Sequence, residues 1–207
     1  GIGEGLQWLD EVRERIGVPV LCDVHTVEEA QQAGEVLDCL QVPAFLCRQT
    51  DLLVAAGQTG KAVNIKKGQF MAPWDMDPAV AKVRSTGNEN VLLTERGTCF
   101  GYNRLITDFR AIPQMQRFAP VVFDATHSTQ EPGGLGSASG GQREYAGLLA
   151  AAALAAGADA LFVETHPDPA SAKSDAACQV PLADIPGFLS RCLSFFRAAR
   201  QDAAPPC

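Results

Sequence analysis

Short apolar runs alternate with longer stretches of helical periodicity along nearly the whole chain. The first run, Val18-Pro19-Val20-Leu21-Cys22, ends in Asp23, Val24 and His25. Residues 37–40 follow, ending at Gln41, and residues 62–65, ending at Lys66 and Lys67. Residues 91–94 run into Glu95 and Arg96, residues 121–123 into Asp124 and His127, and residues 160–163 into Glu164 and His166. These runs are continuous rather than alternating, the pattern of strands covered on both faces. The intervening periodicity predicts helices over 3–15, 27–34 with Thr26 as N-cap, 51–57 closed by glycine, and 78–85 with proline in the first turn. Further helices are predicted over 143–156 and 182–200, and one over 103–117 that Pro113 kinks or breaks.

Strand–helix alternation implies a parallel sheet with right-handed crossovers. An open doubly wound sheet and a closed barrel both satisfy it. All six runs end in polar or charged residues, and a barrel gathers every such end around one mouth, whereas an open sheet gathers only those at its switch point. The pattern therefore favours a (β/α)8 TIM barrel. Such a barrel has eight strands and about 250 residues, so the expectation is a single domain over 1–200 holding the last six strands with their helices, the first two strands lost from the front. The Ala- and Pro-rich tail 201–207 is expected to be disordered.

Composition narrows the function classes. The formal net charge of -7 argues against nucleic acid as a partner, since phosphate backbones select basic surfaces. It leaves anionic small molecules open, because a few lysines and arginines can dominate a cleft. The Ala-rich stretch 146–156 falls short of the roughly 18 apolar residues a membrane helix needs, no signal peptide is visible, and no membrane partner is expected. Seven cysteines without a CxxC pair point to a reducing cytoplasm and to thiols that act as small buried hydrophobes.

Three clusters carry candidate chemistry. Asn64-Ile65-Lys66-Lys67-Gly68 and Glu95-Arg96-Gly97 put cations at consecutive strand ends. Alternation sends only one of the two lysines inward, and an inward Lys and Arg make a clamp for phosphate or carboxylate. Asp124, His127, Glu164, His166 and Asp175 form a His–carboxylate set that suits either a divalent metal or general acid–base work. The glycine-rich segment 133–141 fails the dinucleotide spacing, because Ser139 occupies the third glycine position, and reads as a mobile loop over the mouth. The segment 41–51 is apolar for a turn and carries Arg48, which marks a site or a subunit contact.

Several strings resemble 3-deoxy-D-manno-octulosonate 8-phosphate synthase: Cys-Asp-Val-His at 22–25, Gln-Val-Pro-Ala-Phe-Leu-Cys-Arg-Gln-Thr-Asp at 41–51, and Asn-Ile-Lys-Lys-Gly-Gln-Phe at 64–70. Glu-Arg-Gly at 95–97, Phe-Gly-Tyr-Asn at 100–103, Phe-Asp-Ala-Thr-His-Ser at 123–128, Ser-Gly-Gly-Gln-Arg at 139–143 and Glu-Thr-His-Pro-Asp-Pro at 164–169 complete the set. The resemblance implies a cytoplasmic, homotetrameric (β/α)8 transferase of lipopolysaccharide biosynthesis that condenses phosphoenolpyruvate with arabinose 5-phosphate. It implies that Lys66 and Arg96 hold phosphoenolpyruvate, with Gln41, Pro43 and Ala44 beside it and Asp23, Phe45, Gln49 and Asn64 lining the same site. Arg48 would bind the phosphate of arabinose 5-phosphate in a neighbouring subunit.

The family has metal-dependent and metal-independent branches. His127, Glu164 and Asp175 would be the catalytic ligands of a divalent ion in the first, and the run Ala172-Lys173-Ser174-Asp175-Ala176-Ala177-Cys178-Gln179 resembles that branch more. The family's early Lys-x-Ser-Phe-Asp-Lys-Ala-Asn-Arg motif has no counterpart in the 207 residues. Two alternatives stand beside the main reading: a 3-deoxy-heptulosonate 7-phosphate synthase using erythrose 4-phosphate, and an inactive truncated fragment.

Overall fold

The computed structural model describes residues 1–133 and 140–201. The chain divides into two compact units, residues 1–94 with 118–120, and residues 95–117 with 121–207.

The first unit opens on helix α1 (Ile2–Ile16), which stops at Gly17 in the left-handed region (φ 71°) with the Gly17 N–H returned to the Arg13 carbonyl. Glycine is favoured there because it carries no Cβ. Then follow β1 (Leu21–Asp23), α2 (Val27–Gly34), β2 (Cys39–Val42), α3 (Thr50–Gln58), β3 (Ala62–Lys66), α4 (Asp77–Arg84) and β4 (Val91–Glu95), the last residue of β4 belonging to the second unit. The strands run parallel, with Leu21 opposite Cys39, Cys39 opposite Ala62, and Val63 opposite Val91. As expected, Thr26 caps α2 by accepting the Glu29 N–H at 3.2 Å, while the Glu29 carboxylate takes the His25 N–H at 2.8 Å. Leu40, Val42, Val63, Ile65 and Leu93 form the buried strand layer beneath Ala30, Leu53 and Val80 of the helices.

The burial of β1 departs from expectation. Leu21, Cys22 and Asp23 are all exposed, and α1 buries none of its residues. Among the described residues β1 pairs with β2 alone, so its apolar run lacks the second neighbour that continuous hydrophobicity implies.

In the second unit, β5 (Thr98–Cys99) and β6 (Leu105–Ile106) form an antiparallel hairpin, followed by α5 (Ala111–Met115) and β7 (Val121–Asp124). The helix expected over 103–117 is therefore mostly hairpin and turn. Only five residues are helical, with Pro113 in the first turn, where its missing N–H has no intrahelical partner to lose. Next come β8 (Gln130–Glu131), β9 (Gly140–Gly141), α6 (Ala146–Ala155), β10 (Ala160–Phe162), β11 (Thr165–His166), β12 (Val180–Pro181) and α7 (Ile185–Gln201). β10 pairs parallel with β7, Phe162 opposite Asp124. The Ala-rich α6 buries Ala150, Ala153 and Leu154 and packs on α7.

Among the described residues there are thus six strands in parallel β/α repeats, four in the first unit and two in the second, the order of a partial (β/α)8 barrel. No helix of the described residues is long and apolar enough to cross a membrane. Residues 134–139 of the glycine-rich segment and 202–207 of the tail lie outside the described residues; the flanks of the former, β8 and β9, pair antiparallel. Cys47, Cys178 and Cys192 are buried as small hydrophobes, but Cys22 and Cys99 are exposed because β1 and the β5–β6 hairpin are. Cys39 is half-buried, and burial pushes its thiol up to about 11.

Candidate active site

Three of the expected site residues of the first unit are joined in one hydrogen-bonded row across the strand ends. Thr94 Oγ1 donates to Asn64 Oδ1 at 2.7 Å, Asn64 Nδ2 donates to Gln41 Oε1 at 2.8 Å, and Gln41 Nε2 donates to Asp23 Oδ1 at 2.7 Å. Thr94, Asn64 and Gln41 are buried, whereas Asp23 is exposed. The parallel register sets Asp23 opposite Gln41 and Gln41 opposite Asn64, Thr94 joins from two residues beyond Leu92, the partner of Asn64 on β4, and every donor points toward the carboxylate. The row therefore fixes the orientation of both amides. Thr94 was not foreseen; a hydroxyl inside an otherwise apolar run was its signal.

Lys66 ends β3 and is 6% exposed. Lys67 is fully buried and reaches the carbonyls of Gly68 and Met71 at 3.4 Å. Both lysines are thus buried, Lys67 against the backbone of the turn that follows β3. Pro43 and Ala44 are half-buried at the start of a 3-10 turn, Ala44–Leu46. Phe45 is 76% exposed, and Arg48 and Gln49 are exposed beside it.

The second unit holds an anion-seeking arginine. Arg96 is only 4% exposed, and its Nη2 donates to Gln130 Oε1 at 2.6 Å. Its Nε and Nη1 are buried with no hydrogen-bond partner in the protein. Buried guanidinium N–H groups without acceptors are costly. Burial lowers the Arg96 pKa from its ordinary value, opposed by the charges of Asp124, Glu95 and Asp175. An anionic ligand would supply the missing acceptors.

Close by in the same unit, His127, Glu164 and Asp175 each present a donor atom within 4.8 Å of the others. His127 Nε2 lies 3.4 Å from Glu164 Oε1 and 4.0 Å from Asp175 Oδ2. Two donors bound at about 2.1 Å to one tetrahedral ion would be roughly 3.4 Å apart, so the set fits a divalent cation. Asp124 backs it. Its Oδ1 accepts the N–H groups of Thr126 and His127 and the Thr126 hydroxyl, and its Oδ2 lies 2.7 Å from His127 Nδ1. That fixes the imidazole with the proton on Nδ1 and the lone pair of Nε2 toward the carboxylates, as in carboxylate–histidine–metal triads. Thr126 Oγ1 also accepts the Glu164 N–H at 3.2 Å, tying the Glu164 backbone to the same hydrogen-bonded set. Asp175 sits at φ 52°, one of two non-glycine residues with positive φ among those described. Such strain gathers at functional sites, and aspartate tolerates it better than most.

The structure brings together Asp124, His127, Glu164 and Asp175 but does not bring His166 into the set. His166 Nδ1 instead accepts the Asp168 N–H at 3.1 Å in a local turn. Gln130, which sequence reasoning passed over, lies three residues beyond His127, where a 3-10 turn places it on the same side.

A family model described as the DAHP synthetase I family matches residues 1–194. The chain belongs to this family. Within it, the chain is 58% identical over 190 residues to the 2-dehydro-3-deoxyphosphooctonate aldolase of Nitratidesulfovibrio vulgaris strain DP4, covering 91% of this chain and 70% of that protein. The enzymes of the same name from Trichlorobacter lovleyi and Methylobacterium radiotolerans are 56% and 55% identical, over 92% and 99% of this chain and 71% and 73% of their own lengths. The resemblance read from the motifs therefore holds.

Proposed function

We propose that this protein condenses phosphoenolpyruvate with D-arabinose 5-phosphate to give 3-deoxy-D-manno-octulosonate 8-phosphate and inorganic phosphate. The observation that carries the reading is the pairing of family membership with a buried Arg96 whose Nε and Nη1 lack protein acceptors. In the reaction, carbon 3 of phosphoenolpyruvate bonds to the aldehyde carbon of the sugar, water adds at carbon 2, the aldehyde oxygen takes up a proton, and phosphate leaves.

Arg96 takes an anionic group of phosphoenolpyruvate, and Lys66 and the strand-end residues Asp23, Gln41 and Asn64 serve substrate as well, by resemblance. The exposed Arg48 and Phe45 suit the assignment of Arg48 to the sugar phosphate of a neighbouring subunit in a homotetramer. His127, Glu164 and Asp175 hold a divalent ion, with Asp124 orienting the imidazole. A bound ion there supplies Lewis-acid polarisation of an oxygen. The enzyme is assigned to the cytoplasm and to lipopolysaccharide biosynthesis.

The alternative read from the sequence, a heptulosonate 7-phosphate synthase acting on erythrose 4-phosphate, has less support, because the relatives at 55–58% identity are named 2-dehydro-3-deoxyphosphooctonate aldolase. Incubation of the complete gene product with phosphoenolpyruvate and arabinose 5-phosphate tests the proposal. Stoichiometric release of phosphate with formation of the eight-carbon product supports it, and no product with either aldose overturns it.

A further inference from the structure

Gln130 stands between the two charged parts of the second unit's site. Its Oε1 accepts from Arg96 Nη2 at 2.6 Å, and its Nε2 donates to Asp175 Oδ1. Only one orientation of the carboxamide satisfies both partners, since one side must accept and the other must donate. Its backbone is held as well. It follows the 3-10 turn His127–Thr129, and β8 pairs Gln130 with Gly141.

The arrangement has a physical consequence. Arg96 is cationic and Asp175 anionic, and both approach the same neutral side chain. A guanidinium and a carboxylate this close in a buried site gain by closing into a direct bidentate pair. That pair would occupy the N–H groups of Arg96 and the oxygens of Asp175 together. A neutral amide wedged between them satisfies one nitrogen of the arginine and one oxygen of the aspartate. It leaves Arg96 Nε and Nη1 unpartnered in the protein and Asp175 Oδ2 turned toward His127 Nε2 at 4.0 Å.

We infer that Gln130 is a positioning residue that keeps Arg96 and Asp175 from pairing, so that the arginine stays available to an anionic substrate group and the aspartate to a divalent cation. This rests on the reading of Arg96 and Asp175 given above. It goes beyond that reading in predicting that one neutral side chain controls both affinities at once. A residue that merely packed the site would, when changed, lower stability without altering both ligands' affinities in the folded protein.

The test is Gln130→Met, which keeps the length and removes both hydrogen bonds, with Gln130→Asn as a second variant that keeps both groups but is one methylene too short to bridge. Calorimetric titration measures the Kd of Mn2+ alone and of phosphoenolpyruvate alone, and thermal melts report folding. Removal of outer-shell partners typically costs about ten- to hundredfold in metal affinity. The expected result is a loss of about tenfold or more on both arms for Gln130→Met, with a near-native melt. If Gln130→Met does not fold, Gln130→Asn is held to the same two-arm criterion. Loss on one arm only, or on neither, overturns the wedge while leaving the functional reading intact. Wild-type protein that binds neither Mn2+ nor phosphoenolpyruvate overturns both.

Discussion

His127 Nδ1 lies 2.7 Å from Asp124 Oδ2, and Asp124 is completely buried. The carboxylate thereby selects the imidazole tautomer whose Nε2 lone pair faces Glu164 and Asp175. Asp124→Asn keeps the shape and the Oδ1 acceptor but turns an NH2 group toward Nδ1. The proton then moves to Nε2, where it blocks ligation. The expected outcome is a metal affinity about ten- to hundredfold lower, with circular dichroism unchanged. Titration of Mn2+ into chelator-treated protein measures it; an unaltered Kd would remove Asp124 from the account.

Arg96 carries the second prediction. Arg96→Ala removes the charge and the buried N–H groups, and should cost about 2–5 kcal/mol in kcat/KM for phosphoenolpyruvate, as for loss of one partner of a buried charged contact. Arg96→Lys should recover only part, because an ammonium cannot reproduce the planar set of donors. Steady-state kinetics on the complete gene product decide it. Near-normal kcat/KM in Arg96→Ala would place the anion elsewhere.

Many of the candidate residues of each unit were legible in the sequence because they sit where apolar runs end. Strand ends can be read from hydrophobicity, so Asp23, Gln41, Arg96, Asp124, His127 and Glu164 announced themselves, whereas Asn64 lies inside its run and was assigned by resemblance. Asp175 lies in a loop away from any strand end; it was grouped with the His–carboxylate set, and the resemblance gave it the role of a ligand. Partnerships were less visible. Nothing in spacing says that Gln130 lies between Arg96 and Asp175, or that His166 is used in a turn, since these depend on side-chain directions fixed by tertiary contacts. The helices α2, α3, α4, α6 and α7 were read nearly to their ends from periodicity and caps. The segment 103–117 was misread because a hairpin strand of two residues is too short to show alternation. The exposure of β1 and α1 was invisible for a different reason: an apolar pattern states what a segment can bury, not whether a neighbour covers it.

Cys39 supplies a prediction about pH. Burial is the main cause that pushes its thiol up to about 11 from about 9. Below about pH 9 both folded and unfolded chains hold the proton, and the stabilisation is fully present. Between about 9 and 11 the unfolded chain releases its proton first, so stability falls as pH rises. Urea unfolding of wild type and Cys39→Val at pH 8 and pH 10.5 should show the wild type losing about 2 kcal/mol relative to the variant. Parallel pH profiles for the two proteins would contradict the assignment.

The most direct measurement is the choice of aldose. With phosphoenolpyruvate saturating and the complete gene product as enzyme, kcat/KM is compared for arabinose 5-phosphate and erythrose 4-phosphate. The account predicts the higher value for arabinose 5-phosphate, with 3-deoxy-D-manno-octulosonate 8-phosphate as product. A higher kcat/KM with erythrose 4-phosphate, giving the seven-carbon acid, would contradict it.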